Sequence, residues 1–236
     1  MGWARFPVVT ALGLAFSCSA AMAADLPTFS MPTGPTPSVP SLSDPSFFLH
    51  IGPLGVFPAE SAKISVGGGL VPGASISIDP QLTVGVEIGY YLTKNWSISY
   101  AGGFPPKIAI DGTGPAAALG TLGSAIYGPS ALMGQYHFTD WGMIQPYIGA
   151  GPVYMLMIDN NDNSIANLKI DNAFGAAVQV GADVMFNQNW GVFVDVKKAY
   201  LRTKAHGNVG AAAGPAMSAD VTLDPLIVSA GLTYKF

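Results

Sequence analysis

Counting back by twos from Phe236 gives Tyr234, Leu232, Ala230, Val228 and Leu226, while the interleaved positions are Lys235, Thr233, Gly231 and Ser229. A period of two is the signature of a β-strand, here with one apolar face and one small or polar face. A half-buried strand of a soluble domain alternates in the same way, so this one segment leaves both environments open. The pattern recurs along the chain. Leu82, Val84, Val86, Ile88, Tyr90 and Leu92 oppose Thr83, Gly85, Glu87, Gly89 and Tyr91. Phe174, Ala176, Val178, Val180, Ala182, Val184 and Phe186 oppose Gly175, Ala177, Gln179, Gly181, Asp183 and Met185. Trp190, Val192, Val194 and Val196 oppose Phe193, Asp195 and Lys197.

Composition decides what such a set of strands is for. Half of the 236 residues are hydrophobic and a tenth are charged, against the quarter charged in an average soluble domain. Yet beyond the extreme N-terminus no run approaches the ~18 uncharged apolar residues that a membrane helix needs. Apolar residues spread in alternation, together with 29 glycines, are the expected trace of a transmembrane barrel, whose outer side chains meet lipid and whose inner ones line a lumen. The net charge of −4 includes no basic run, which argues against a nucleic-acid partner.

Residues 1–23 have the build of an export signal. Arg5 is the positive flank, Val8 to Phe16 the apolar core, and Ala21-Met22-Ala23 the small residues before a cleavage site. Cys18 is the sole cysteine, and Ala15-Phe16-Ser17 before it is a poor lipidation box, so it reads as a signal residue. Removal of the signal then leaves a chain without disulfides or thiolate chemistry. Residues 24–45 carry Pro27, Pro32, Pro35, Pro37, Pro40 and Pro45 among Ser, Thr and Gly, the composition of an extended periplasmic leader. Residues 46–236 form the barrel.

Eight alternating runs are expected, near 46–57, 76–92, 96–110, 123–138, 143–158, 170–186, 190–204 and 220–236. Short connections, Thr93-Lys94-Asn95, Thr139-Asp140-Trp141-Gly142 and Asn187-Gln188-Asn189, alternate with long ones near 58–75, 111–122, 159–169 and 205–219. Outer-membrane barrels show this asymmetry, with periplasmic turns and longer outer loops, and an even strand number returns both termini to the periplasm. Trp96, Trp141 and Trp190 sit at the short turns, with Tyr90, Tyr136, Phe138, Phe186, Tyr234 and Phe236 near the same level. This is the expected aromatic girdle. The fold class is therefore all-β, an eight-stranded antiparallel transmembrane β-barrel of the bacterial outer membrane.

Several stretches in order, namely Leu92-Thr-Lys-Asn-Trp-Ser-Ile-Ser, Gln135-Tyr-His-Phe138, Gln145-Pro-Tyr-Ile-Gly-Ala-Gly151, Ala177 to Val184 with Asn189-Trp190, Leu223-Asp-Pro225 and Tyr234-Lys-Phe236, resemble the outer membrane protein W family. The resemblance spans residues 46–236; the Pro-rich leader falls outside it. It implies a narrow barrel with a hydrophobic interior blocked toward the periplasm, and passage of small hydrophobic molecules by sideways exit into the bilayer. Members linked to alkane uptake are included. The closing Tyr234 and Phe236 resemble the assembly signal read by the barrel-assembly machinery.

The lumen is legible from the alternation itself. An eight-stranded barrel holds its own side chains or one small ligand, so an open aqueous pore is not expected. Glu87, Gln135, His137, Gln145, Asp183, Asp195, Lys197 and Lys235 point inward near the short turns and would form a polar plug of ion pairs. Leu54, Val56, Met133, Val153, Met155, Met157 and Leu201 point inward nearer the long connections and would form an apolar path, with Met155 and Met157 facing Met133. Pro53, Pro105, Pro129, Pro146 and Pro152 fall inside strands and each removes a ladder donor; a pair such as Pro129 and Pro152 either opens a lateral gap in the wall or marks kinks and bulges with no role in transport.

Catalysis has little to stand on. His50, His137 and His206 lack metal-pair spacing. The cluster Asp159 to Asn163 lacks the closing Glu of a calcium loop and reads as a solvated loop. Gly67-Gly-Gly69 lacks the Lys-Ser/Thr of a phosphate cradle. No enzyme, metal or cofactor is expected. Two functions remain: a channel for small hydrophobic molecules, and a structural or interaction barrel, such as a surface receptor or adhesin, with a filled lumen.

Overall fold

The computed structural model describes residues 46–236; the signal (1–23) and the Pro-rich leader (24–45) lie outside the described residues. Fourteen strands follow one another: β1 (Phe47–Phe57), β2 (Glu60–Val66), β3 (Gly69–Leu70), β4 (Ser75–Ser77), β5 (Gln81–Tyr91), β6 (Trp96–Gly103), β7 (Lys107–Thr113), β8 (Thr121–His137), β9 (Ile144–Asp162), β10 (Ile165–Ile170), β11 (Ala173–Met185), β12 (Trp190–Val209), β13 (Ala216–Leu223) and β14 (Leu226–Lys235). Short 3-10 turns occupy Gly114–Leu119 and Thr139–Trp141.

Eight of these strands close into an antiparallel barrel in the order β1, β5, β6, β8, β9, β11, β12, β14 and back to β1. Outward positions are apolar and exposed: Leu82 is 80% accessible, Phe174 68% and Val180 56%. Inward positions are buried and include charged groups such as Asp183 and Asp195. A soluble fold shows the reverse, because water favours burying apolar surface; here the surface is built for hydrocarbon. At the turn end the girdle forms as expected. Trp96 packs on Tyr136, Tyr136 on Phe138 and Phe138 on Trp141, while Trp190, Tyr234, Phe236, Phe47 and Tyr90 form a second run of ring contacts.

The expected eight uninterrupted runs and long irregular loops are corrected at the opposite end. Strands β8, β9 and β12 run 17, 19 and 20 residues without a break, and they carry a β-extension above the wall. The other five staves break as they enter it. Four breaks contain proline: Pro58 between β1 and β2, Pro80 between β4 and β5, Pro105-Pro106 between β6 and β7, and Pro225 between β13 and β14. A proline cannot donate to a ladder and fixes φ, so strands end there and restart at a new angle. At the fifth, Asp171-Asn172, the Asn172 side chain accepts the Met157 amide at 2.8 Å. Above the breaks β4 pairs β7 and β7 pairs β8, while β10 and β13 pair β12 and β2 pairs β13. Of the residues expected to be loops, 58–75, 159–169 and 205–219 are thus largely strand, while half of 111–122 is the 3-10 turn Gly114–Leu119. Asp162 ends β9 and accepts the Asn167 and Leu168 amides at 2.7 and 2.8 Å, a local cap inside the acidic segment that was expected to be a solvated loop.

Closure depends on β1 meeting β14. Phe47 and Phe236 exchange both backbone hydrogen bonds, at 2.9 and 3.0 Å, so the last residue completes the ladder. Midway along the same seam Gly52 and Gly231 sit face to face on the inner side. A Cβ on Gly231 would lie 2.1 Å from the Ile51 carbonyl oxygen and 2.7 Å from the Gly52 Cα. The strands approach so closely that only glycine fits. Gly231→Val is expected to lower unfolding stability by about 1–3 kcal/mol, read as a reduced urea midpoint and loss of heat-modifiable gel migration. Gly134→Ala, whose Cβ would have only an ordinary 3.8 Å contact, should leave both unchanged.

Candidate functional site

Inside the barrel, alternation sends even-numbered residues of β1 and odd-numbered residues of β5, β6, β8, β9, β11, β12 and β14 to the lumen, where their chemistry changes with height. The lower half is polar and closed. Lys197 donates to Glu87 at 2.9 Å and to Asp195 at 2.6 Å. Glu87 also accepts Gln135 at 2.5 Å and Ser99 at 2.7 Å. Gln179 donates to Asp195 at 2.6 Å and accepts from Gln135 at 3.0 Å, and the Tyr147 hydroxyl donates to Asp195 at 3.1 Å. Below this layer Asp183 lies 2.9 Å from the His50 imidazole and 3.5 Å from the Lys235 ammonium. Lys235 donates to Gln145 at 2.7 Å and stands over the Tyr91 ring at 5.2 Å. The Ser97 hydroxyl donates to Gln135 at 3.1 Å and lies 3.0 Å from His137, whose Nδ1 is 3.3 Å from the Tyr91 hydroxyl. Phe48, 0% accessible, packs its ring against His50, Tyr91 and His137, and Phe193 stacks on His50 at 4.3 Å.

All eight residues expected in the plug therefore lie in one connected network. The expectation omitted His50, Gln179, Ser97, Ser99 and Tyr147. Parity was the available signal: His50 shares the inner face of Leu54, and Ser97 and Ser99 alternate with the outward Trp96. Desolvating an ion costs several kcal/mol unless its partners are well placed, and each buried carboxylate here has a cationic neighbour.

Above Glu87 and Lys197 the lumen turns apolar. A cavity of about 120 Å³, open at its mouth, is lined by Leu54, Val56, Val153, Met155, Met157 and Leu201, six of the seven residues expected there. Met133 does not line it. It is fully buried beside Ser99, between plug and cavity. The expected contact of Met155 and Met157 with Met133 is corrected as well: their cross-strand partners are Pro129 and Tyr127. A second, smaller apolar cavity of about 60 Å³ lies within the extension, and Ile78, Ile108, Met157 and Leu223 border both. These side chains form a greasy collar between two chambers. Ile78 and Ile108 were hidden from the sequence because they belong to segments that break and re-pair at prolines.

The wall is interrupted at one height. The β6–β8 ladder ends at Gly102 opposite Ser130, and the β7–β8 ladder begins at Lys107 opposite Ile126. Between them Phe104, Pro105 and Pro106 face Tyr127, Gly128 and Pro129, joined by one long bond from the Tyr127 amide to the Pro106 carbonyl at 3.4 Å. Phe104 instead stays with β5, through its amide to Val84 at 3.1 Å and the Thr83 hydroxyl to its carbonyl at 3.0 Å. Gly102, Pro129 and Ser130 border the lower cavity, so the interruption reaches the lumen. Pro152 takes no part in it. It faces Ala176 within the continuous β9–β11 ladder, and the expected pairing of Pro129 with Pro152 gives way to Pro129 with Pro105-Pro106.

Lys197→Met should leave Glu87 and Asp195 as unpaired buried carboxylates and lower unfolding stability by about 3–5 kcal/mol. Lys94→Ala, which removes an exposed pair with Asp140 at 2.5 Å, should cost less than about 1 kcal/mol. Urea unfolding of the two variants in lipid vesicles measures both.

Sequence and structure comparisons agree with this architecture. A model described as OmpW family matches residues 43–236. The chain is 36% identical over 230 residues to the uncharacterized outer-membrane protein y4mB of Sinorhizobium fredii (strain NBRC 101917 / NGR234), covering 96% of this chain and 94% of that protein. It is 32% identical over 187 residues to the dibenzothiophene metabolism operon protein PahQ of Pseudomonas aeruginosa, covering 79% of this chain and 87% of that protein. The crystal structure of the outer membrane protein OprG from Pseudomonas aeruginosa aligns with a TM-score of 0.75 at 25% identity, over 81% of this chain and 95% of OprG. A closed eight-stranded barrel with a lipid-facing apolar surface, matched by the family model over residues 43–236 and by the outer-membrane proteins y4mB and OprG, establishes that the chain is a bacterial outer-membrane β-barrel and belongs to the OmpW family.

Proposed function

We propose that this barrel transports small hydrophobic molecules across the outer membrane: they enter through the extension, occupy the apolar lumen above the plug and leave sideways into lipid between β6/β7 and β8. One observation carries the reading. An apolar cavity is floored by a closed polar network and bordered, at that same height, by the interrupted ladder of Phe104-Pro105-Pro106 and Tyr127-Gly128-Pro129. The energetics favour the side over the bottom. Each CH2 group removed from water is worth about 0.8 kcal/mol, and a solute keeps that gain in cavity, seam and bilayer alike. Going down requires parting buried ion pairs, at several kcal/mol per ion. PahQ, by its name, belongs to a dibenzothiophene metabolism operon, and dibenzothiophene is an apolar solute of the class this lumen suits. The protein performs no chemistry on its cargo, and the short turns and both termini face the periplasm.

Uptake of a radiolabelled hydrocarbon by cells with and without the protein tests the reading. Faster uptake with the protein is expected; equal uptake would support a structural or interaction barrel instead. Met155→Asp with Met157→Glu should abolish the gain while the barrel still folds. Restoring amide donors with Pro106→Val and Pro129→Val should zip the seam and slow uptake several-fold. Planar bilayers should show no porin-sized conductance. The barrel-assembly machinery is the proposed reader of Tyr234 and Phe236, so a chain lacking Phe236 should be exported yet insert poorly, as judged by its fraction in the outer membrane.

A further inference from the structure

Cationic residues on the outside of the molecule are gathered on one side. On β12 the outward residues Trp190, Val192, Val194, Val196 and Tyr200 lie in the lipid-facing belt, with Lys198 reaching to the Asp224 carbonyl. The next outward residues are Arg202, Lys204 and His206. From Trp190 to Tyr200 a tilted strand rises about 25 Å, the height of the apolar band of an outer-membrane barrel. Arg202 therefore stands at the edge of hydrocarbon, directly above Tyr200.

Cross-strand register spreads the charge into a patch. Arg202 lies opposite Thr222, which lies opposite Ser61; Lys204 lies opposite Asp220, which lies opposite Lys63; and Lys169 lies opposite His206, which lies opposite Ser218. Lys63, Lys169, Arg202 and Lys204 thus outnumber Asp171 and Asp220 on this face. Its ion pairs are loose, Lys204 to Asp220 at 3.8 Å and His206 to Asp171 at 3.9 Å, and such exposed pairs contribute little. Arg202, Lys63 and Lys169 have no ion-pair partner among the described residues, and the hydroxyls of Thr222, Ser61 and Ser218 lie between them. The side of the extension above the interrupted seam has the reverse balance: Asp111 and Asp159 against Lys107.

We propose that the outward face of β10, β12, β13 and β2 binds the phosphate groups of an anionic glycolipid of the outer leaflet, with Arg202 as the fork at the hydrocarbon edge and Lys63, Lys204 and Lys169 above it. An unpaired guanidinium flanked by hydroxyls suits a phosphate ester, and its height places it where acyl chains end and headgroups begin. Clustered basic groups at a membrane surface attract anionic lipid headgroups. The acidic side repels the same lipids, so bound glycolipid is held across the barrel from the seam and the solute's exit stays clear. The proposal rests on the extension facing outward from the outer membrane, as above.

The test places the full-length barrel in phosphatidylcholine nanodiscs and titrates it with bisphosphorylated lipid A, reading bound lipid by native mass spectrometry. Saturable binding is expected, weakened at least about tenfold by Arg202→Glu with Lys63→Glu and Lys204→Glu, weakened in the same direction by the milder Arg202→Gln with Lys63→Gln, and unchanged by Lys107→Glu. Heat-modifiable migration confirms that each variant is folded. Dephosphorylated lipid A should bind far more weakly, and millimolar inorganic phosphate should not displace the lipid. Equal binding by wild type and variants, equal binding of dephosphorylated lipid A, or displacement by free phosphate would overturn the proposal. No transported solute enters this measurement, so a wild-type protein that moves no hydrocarbon leaves its result standing.

Discussion

Hydrocarbon offers a backbone amide no partner, and the organisation of this barrel follows from that deprivation. Each lipid-facing strand must find its hydrogen bonds in its neighbours, and the last strand must find them in the first. The ladder between β1 and β14 meets this demand, down to the exchange between Phe47 and Phe236 and the bare contact of Gly52 with Gly231. Closure removes the free edges that would otherwise pair with other chains. It also inverts the usual hydrophobic pattern, with Leu82 and Phe174 outside and Asp183 and Asp195 within.

Closing at eight strands leaves a lumen too narrow for a column of water, so the charged groups in its lower half must satisfy one another. Lys197 serves two carboxylates at once, Gln135 and Gln179 bridge between them, and Lys235 and His50 flank Asp183. A polar layer tied this tightly is a floor. Above it the lining is mostly apolar, and Met155, Leu201 and their neighbours leave space instead of filling it. The same rule of backbone satisfaction makes the interruption between β6/β7 and β8 conspicuous. Pro106 and Pro129 there replace donors that an intact ladder would use.

How much of this was legible follows the range of each signal. Alternation is a local property, so the staves, the girdle around Trp96 and Trp190 and the inward direction of Glu87, Gln135, Asp183 and Lys197 could be read residue by residue. The same parity held His50, Gln179 and Ser99, whose roles became visible only once their partners were known. The extension was misread as loops because glycine, alanine and proline are weak strand signals. Its strands exist because the long β8 and β12 offer free edges for β7, β10 and β13. Pro152 was given the same weight as Pro129 because a sequence shows a missing donor but not whether the neighbouring strand needs it.

The sequence by itself determined the two-faced strands, their number in the wall, the lipid-facing girdle and the polar-below, apolar-above division of the lumen, because a period of two assigns each side chain to a face without knowledge of any partner. Tertiary structure alone decided which groups meet: Lys197 between Glu87 and Asp195, Met155 opposite Pro129 instead of beside Met133, the collar of Ile78, Ile108, Met157 and Leu223, and the gathering of Arg202, Lys63 and Lys169 on one outer face. Those outcomes depend on register and on where strands break and re-pair. Register is a relation between distant segments, and it is fixed only when the barrel closes.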